Sequence, residues 1–232
     1  MCDLVFLQSK EFESGLDLDV HIRTHKRLDM SYISNAALRI GTDVLEVESK
    51  GVYHLNGVAG ADLPIEFGGF QFLHTQPTDK QHVFEIHLGG RERIKLKTYK
   101  DFVSVLVEQG EDKHFANSVG LMGDFATGRM FARDGETVIE DANAFGQEWQ
   151  VLDTEASLFQ EARFPQHPTV CTMPPPMQAS QLRRRLLETS VADEVAAEKA
   201  CAQWGDGKDD CVFDVLTTGD LEMAMVCAYE SQ

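Results

Sequence analysis

Hydrophobic and polar residues alternate with a period of two along much of the first two-thirds of the chain. Between residues 16 and 24, Leu18, Val20 and Ile22 alternate with polar neighbours, the pattern of a half-buried strand. Similar runs occur at 32–40, 44–47, 52–55, 70–74, 83–88, 93–99 and 102–107. Gly89-Gly90 predicts a hairpin, because paired glycines readily adopt positive φ. Many short strands without intervening helices predict a mainly β fold, either an antiparallel sandwich or a barrel.

The strand pattern ends near Val151, and a different organisation follows it. Residues 153–179 are poorly periodic and contain the run Pro174-Pro175-Pro176, which favours an extended linker. Helical spacing follows at 182–187, from the N-cap Ser190 to about 204, and from 218 to 226. The sequence thus predicts a β domain at 1–152, a Pro-rich linker at 153–179 and a small, acidic helical segment at 180–232.

Composition narrows the classes of protein to which the chain can belong. It has 232 residues, of which 43% are hydrophobic, and a formal net charge of −17. The negative charge argues against binding to nucleic acid or to an anionic membrane surface. No apolar run approaches the roughly 18 residues of a membrane span, and the first residues lack the pattern of a signal peptide. We therefore expect an acidic globular protein without a membrane span.

The sequence lacks the motifs of the common catalytic and nucleotide-binding sites. It contains no Gly-x-x-x-x-Gly-Lys-Ser/Thr loop, no Gly-x-Gly-x-x-Gly, no His-Glu-x-x-His and no Gly-x-Ser-x-Gly. Its eight histidines do not have the spacing of a metal-ligand set. We therefore predict that the chain is not an enzyme.

One predicted strand carries a stripe of basic residues. Ile94 and Leu96 face one side of this strand, and the alternate positions on the other side are basic. This basic stripe consists of Arg91, Arg93, Lys95 and Lys97. It is either an ordinary solvated sheet face or a docking surface for a polyanionic glycan such as a sulfated polysaccharide.

Three separate segments of the β region form a pattern. They are Cys-Asp-Leu-Val at 2–5, Val-Gly-Leu-Met-Gly-Asp-Phe at 119–125 and, after Arg-Asp-Gly-Glu-Thr at 133–137, Asp-Ala-Asn-Ala-Phe-Gly-Gln-Glu-Trp-Gln-Val at 141–151. In this order they resemble the von Willebrand factor type D (VWFD) domain family, whose patterns are Gly-Leu-Cys-Gly-Asn-Phe/Tyr and Phe-Gly-x-Ser-Trp-x-Val. The resemblance covers residues 1 to about 152 without the family's first strand, so the chain is expected to be a fragment or a truncated form. It implies a β-sandwich.

The resemblance also implies a calcium ion as cofactor, bound by carboxylates near the second segment. The candidate ligands are Asp124, Asp134 and Asp141. Calcium takes 6–8 oxygen ligands, whereas the intervening loop at 126–131 is short and has no acidic residue. In addition, Met122 stands where the family has a cysteine.

Five cysteines leave one unpaired if two disulfides form. By the resemblance Cys2 pairs with Cys171, and Cys201 and Cys211 flank a Trp-Gly-Asp-Gly segment that would allow a local bridge. Cys227 is then either buried as a small apolar residue or paired outside the chain, which would mean self-association. Disulfides persist in oxidising compartments, so this scheme implies secretion or a cell-surface ectodomain. The alternative is five free cytosolic thiols.

Together these features predict a noncatalytic module of an extracellular adhesion, matrix or mucin-like protein, with other proteins or glycans as partners. One alternative is an accessory domain of a larger secreted enzyme. The other is a polyanionic-glycan-binding module that uses the basic stripe. No Asn-x-Ser/Thr sequon occurs, so N-glycosylation gives no independent support for secretion.

Overall fold

Two open antiparallel sheets dominate the computed structural model, which describes residues 2–27, 30–108, 114–115, 117–124, 127–161 and 194–224. The strands are β1 (Cys2–Phe12), β2 (Leu16–Arg27), β3 (Met30–Ile40), β4 (Asp43–Glu48), β5 (Tyr53–Leu55), β6 (Val58–Ala59), β7 (Glu66–Phe67), β8 (Phe70–Thr78), β9 (Gln81–Gly89), β10 (Glu92–Tyr99) and β11 (Phe102–Glu108). One sheet has the order β1-β2-β3-β4-β5-β6 and the other β11-β10-β9-β8-β7. The predicted mainly β, antiparallel fold is confirmed, and the sheets are not closed into a barrel.

The two sheets share one hydrophobic core. Leu18, Val20 and Leu38 enter it from the first sheet, and Phe84 and Ile94 enter it from the second. All five are fully buried. The alternating apolar residues of β2 therefore face the core as their spacing predicts.

The β9–β10 hairpin forms where the paired glycines predict it. Strand β9 ends at Gly89 and β10 begins at Glu92. Gly89 has a φ of +128° and Gly90 a φ of +54°, values that residues with a Cβ rarely adopt. Arg91 consequently lies in the turn, outside the strand.

The segment at 149–161, called the strap below, covers the outer face of the six-stranded sheet. Helix α1 (Ala142–Glu148) leads into it. Its first residues form backbone hydrogen bonds with β1, and Leu158 and Phe159 pack on Ala37 of β3. The sequence assigned residues 153–179 to a linker, and the described part of that range, 153–161, packs on the sheet. The rest of the predicted linker lies outside the described residues.

A layer of polar side chains is buried between this sheet and the strap. Its members are each at most 4% exposed, namely Asp3, Asp19, His21, Arg23 and Glu46. The guanidinium of Arg23 donates to both carboxylate oxygens of Asp3, at 2.8 and 3.0 Å. It also donates to the backbone oxygen of Glu161 at 3.1 Å and lies 4.3 Å from the centre of the Phe159 ring. The ion pair thus links β1, β2 and the end of the strap.

Residues 18–23 of β2 are consequently buried on both faces. The sequence predicted a half-buried strand, with its polar side chains on the open side of the sheet. The structure differs because the strap covers that side. Buried polar groups require hydrogen-bond partners, and the strap supplies one to Glu46 as it does to Arg23. The Glu46 carboxylate accepts a hydrogen bond from the backbone N–H of Gln160 at 2.8 Å.

The chain divides into two compact units, Met1–Met173 and Pro174–Gln232. In the described part of the second unit, α2 (Glu194–Ala200) precedes a 3₁₀ segment (Ala202–Gly207) and α3 (Lys208–Thr218). Residues such as Ala197, Val215 and Leu216 are buried there. Within the described ranges, no helix is long and apolar enough to cross a membrane.

The helices of the second unit differ from those that the sequence predicts. The helix expected to reach about residue 204 ends at Ala200, and α3 was not predicted. Thr218 ends α3 rather than beginning a helix, because Gly219 adopts a φ of +69°, a common helix terminator. Helical residues resume at Met223. The predicted helix at 182–187 and its neighbour Ser190 lie outside the described residues.

The substitution Asp3→Asn should lower the free energy of unfolding by about 3–5 kcal/mol, because it leaves the Arg23 charge buried without its counter-ion. Urea denaturation measures this loss. The matched control is Lys50→Gln, which breaks the ion pair between Lys50 and Asp101. The Lys50 side chain is 72% exposed and the Asp101 side chain 51% exposed. That control should cost less than about 1 kcal/mol. Similar small losses in both variants would contradict a structural role for the buried pair.

Candidate functional site

The three segments that carry the VWFD resemblance meet at β1. The backbone N–H of Val5 donates to the carbonyl oxygen of Trp149 at 2.8 Å, and the carbonyl oxygen of Val5 accepts from the backbone N–H of Leu121 at 3.1 Å. Gln8 and Val119 exchange two backbone hydrogen bonds, at 2.7 and 2.8 Å. These bonds are additional to those that pair β1 with β2. Segments that are distant in the sequence therefore form one local structure along this strand.

Two glycines of the second segment allow the close backbone approach. A Cβ on Gly120 would lie 2.6 Å from the backbone oxygen of Phe6, and a Cβ on Gly123 would lie 2.8 Å from that of Arg129. Their φ angles are +125° and +71°. Glycine is required here because a side chain would both strain the backbone and collide with it. Met122, at the family's cysteine position, is 39% exposed.

The aromatic residues of the third segment form a cluster separate from the main core. Phe145 and Trp149 pack with Val5 in this cluster. The Trp149 indole N–H donates to the backbone oxygen of Phe131 at 3.0 Å. The guanidinium of Arg133 lies 4.9 Å from the centre of the Trp149 ring. The hydrogen bond and the cation–π contact thus hold the indole in place.

The three predicted calcium ligands bind neighbouring parts of their own loops. Asp124 accepts from the backbone N–H and hydroxyl of Thr127, at 2.7 and 2.8 Å. Asp134 accepts from the same two groups of Thr137, and these hydrogen bonds lower the pKa of Asp134. Asp141 caps the start of α1. In the part of the chain that the structure describes, no three His, Cys, Asp or Glu side chains are arranged to hold a metal ion, so these aspartates are not brought together.

The basic stripe is shorter and less exposed than its sequence pattern indicates. Arg91 lies in the β9–β10 turn, and a register shift follows between Glu92 and Arg93. Lys97 is only 4% exposed. Arg93 and Lys95 are therefore the residues of the stripe that remain on a partly exposed strand face.

Acidic residues on the neighbouring strands contact these two basic side chains. Arg93 donates to Glu85 of β9 at 3.0 Å and also to Glu108 of β11. The Lys95 Nζ lies 2.7 Å from Glu108. The bond to Glu108 raises the pKa of Arg93. Burial alone would raise the pKa of Glu108, but the bonds from Lys95 and Arg93 lower it. Two positive and two negative charges thus balance on this face.

The cysteines of the second unit form the local bridge that the sequence predicts. The sulfur atoms of Cys201 and Cys211 are 2.07 Å apart and their Cα atoms 5.8 Å apart, and both residues are buried. Cys2 is also disulfide-bonded. Its predicted partner Cys171 and the predicted unpaired Cys227 lie outside the described residues.

An unpredicted charged cluster surrounds His114. The backbone N–H of His114 donates to the Glu92 carboxylate at 2.9 Å, and the ring Nδ1 contacts the same carboxylate. The ring Nε2 of His114 lies 2.6 Å from Glu13. Glu92 is 1% exposed. This cluster fixes His114 to strand β10. It could not be predicted from local spacing, because Glu13 and His114 are 101 residues apart.

Two histidines meet beside the β8–β9 turn, although the sequence spacing indicated no ligand set. The Nε2 of His74 is 3.2 Å from the Nδ1 of His82. The ring centres are 5.4 Å apart and the ring planes differ by 12°. The signal was present in the strand pattern, since these residues flank the turn between two predicted strands.

No protein-family model matches this chain, and no curated protein matches its sequence. Its function must therefore be inferred from the residues and contacts described above.

The substitution Gly120→Ala should destabilise the first unit by more than about 3 kcal/mol, because a backbone collision adds to the strain of positive φ. Gly128→Ala is the matched control. Gly128 has a φ of +67°, but nothing lies within 4 Å of its Cβ position, so the cost should be about 1–2 kcal/mol. Urea unfolding compares the two variants. Equal losses would contradict the close approach of residues 119–122 to β1.

Proposed function

We propose that this chain is a noncatalytic, VWFD-like binding module of an extracellular adhesion, matrix or mucin-like protein. Its partners are other extracellular proteins or glycans.

The meeting of the three sequence segments at β1 is the observation that carries this proposal. A chance resemblance in three short segments would not require them to touch. Here the second segment bonds to Val5, Phe6 and Gln8, and the third bonds to Asp3 and Val5. The glycines that define the second segment are those that the close contact requires. The shared pattern therefore has a structural basis, which favours a common architecture over coincidence.

The cysteines favour an oxidising compartment. The Cys201–Cys211 bridge closes a short loop between a helix end and the next helix. Disulfides of this kind persist outside the cytosol and are rare within it. This observation supports a secreted or cell-surface location for the module.

The charge distribution favours proteins or uncharged glycans over polyanionic glycans as partners. The chain carries a net charge of −17, which repels a polyanion at long range. The bases of the stripe that remain on the partly exposed strand face, Arg93 and Lys95, already contact Glu85 and Glu108. Binding a sulfated chain at this face would require those ion pairs to be replaced.

A binding screen tests the proposal. The folded chain is applied to immobilised fibronectin, laminin, collagen, heparin, chondroitin sulfate and uncharged mucin O-glycans freed of sialic acid and sulfate, and the signal is measured as a function of the chain's concentration. We expect saturable binding to a protein or an uncharged glycan, and no retention on heparin at physiological salt. The control is Gly120→Ala, which should lose the signal together with its fold.

Two outcomes would contradict this role. One is the absence of saturable binding to any of these probes by a chain whose circular dichroism shows that it is folded. The other is heparin retention that disappears when Arg93 and Lys95 are changed to Gln, which would instead favour the polyanionic-glycan alternative.

A further inference from the structure

The histidine pair of the β8–β9 hairpin has the geometry of a metal chelate. Zinc–imidazole bonds are 2.0–2.1 Å long, so two nitrogens on one ion at angles between 90° and 109° are separated by about 2.8–3.4 Å. The observed separation between His74 Nε2 and His82 Nδ1 is 3.2 Å. The two nitrogens therefore need little movement to share one ion.

Neighbouring groups hold both rings in place. The His74 ring stacks on Phe84 with a centre-to-centre distance of 4.6 Å. The His82 ring lies so close to Gly51 that a Cβ there would be 2.2 Å from its Cδ2. Gly51 has a φ of +74°, a conformation that favours glycine. The pair is therefore organised before any ligand arrives, which reduces the entropic cost of binding.

The pKa of each ring is lowered in this environment. Burial lowers the pKa of His74, and the neighbouring His82 lowers it further. Burial likewise lowers the pKa of His82. These shifts favour the neutral imidazole, the form in which a ring nitrogen binds a metal. Without metal, one nitrogen donates to the other, and a shift of tautomer exposes both lone pairs.

We propose that His74 and His82 bind one divalent transition-metal ion, with water in its remaining coordination positions. Two imidazoles without a carboxylate favour Cu²⁺ and Zn²⁺ over Ca²⁺. Cu²⁺ binds more tightly than Zn²⁺, as expected for nitrogen ligands. The site joins the middle of β8 to the beginning of β9, and it does not include the aspartates that the VWFD resemblance suggested.

Zinc titration of the untagged chain tests this site. Isotope-labelled protein is titrated with Zn²⁺ while the ring ¹⁵N resonances are recorded, and calorimetry gives the affinity. We expect the resonances of His74 and His82 to shift together. His74→Gln and His82→Gln should each weaken binding by at least the roughly tenfold that loss of a supporting group costs.

His87→Gln is the matched control, since His87 lies on β9 and contacts Glu85 at 3.2 Å. It should leave the zinc affinity unchanged. Cu²⁺ should give an electron paramagnetic resonance spectrum with two coupled nitrogens, reduced to one in either histidine variant. Unshifted His74 and His82 resonances in the parent protein would overturn the proposal whether or not the variants fold. Undiminished zinc affinity in both variants would also overturn it.

Discussion

The buried ion pair between Asp3 and Arg23 is the interaction on which the arrangement of the first unit depends. Arg23 has three hydrogen bonds from its guanidinium, two to Asp3 and one to the backbone of Glu161. Two charges removed from water are tolerated only when their partners are well placed. The carbonyl that accepts the third bond belongs to Glu161 at the end of the strap, and the first residues of the strap, which are also the last of the third segment, bond to β1. One constraint thus connects the fold with the sequence pattern.

Local features of the fold could be predicted from the sequence, and features that depend on distant partners could not. The period of β2 and the Gly89-Gly90 turn are encoded within a few residues. Burial of the polar face of β2 depends on a partner of Arg23 that lies 138 residues away. Helix α1 was missed because it has only seven residues, including Gly146. Its capping residue Asp141 was the signal that could have revealed it.

The candidate sites follow the same distinction. Asp124 and Thr127, like Asp134 and Thr137, have a spacing of three that also predicts a local turn, and the structure uses them in this way. The sequence alternation predicted that the basic residues share one face of the strand, but it could not predict that acidic residues of the neighbouring strands neutralise their charge. Glu85 and Glu108 come to lie beside Arg93 and Lys95 only through the pairing register of three strands. The histidine pair likewise depends on the register of the β8–β9 hairpin.

Mapping the cysteines tests the extracellular account most directly. The chain is produced in an oxidising compartment, denatured, alkylated without reduction and digested, and its peptides are identified by mass spectrometry. The account predicts a linked Cys201–Cys211 peptide, a second linkage between Cys2 and Cys171, and alkylation of Cys227 alone. Alkylation of all five cysteines in a chain that was folded before denaturation would contradict it.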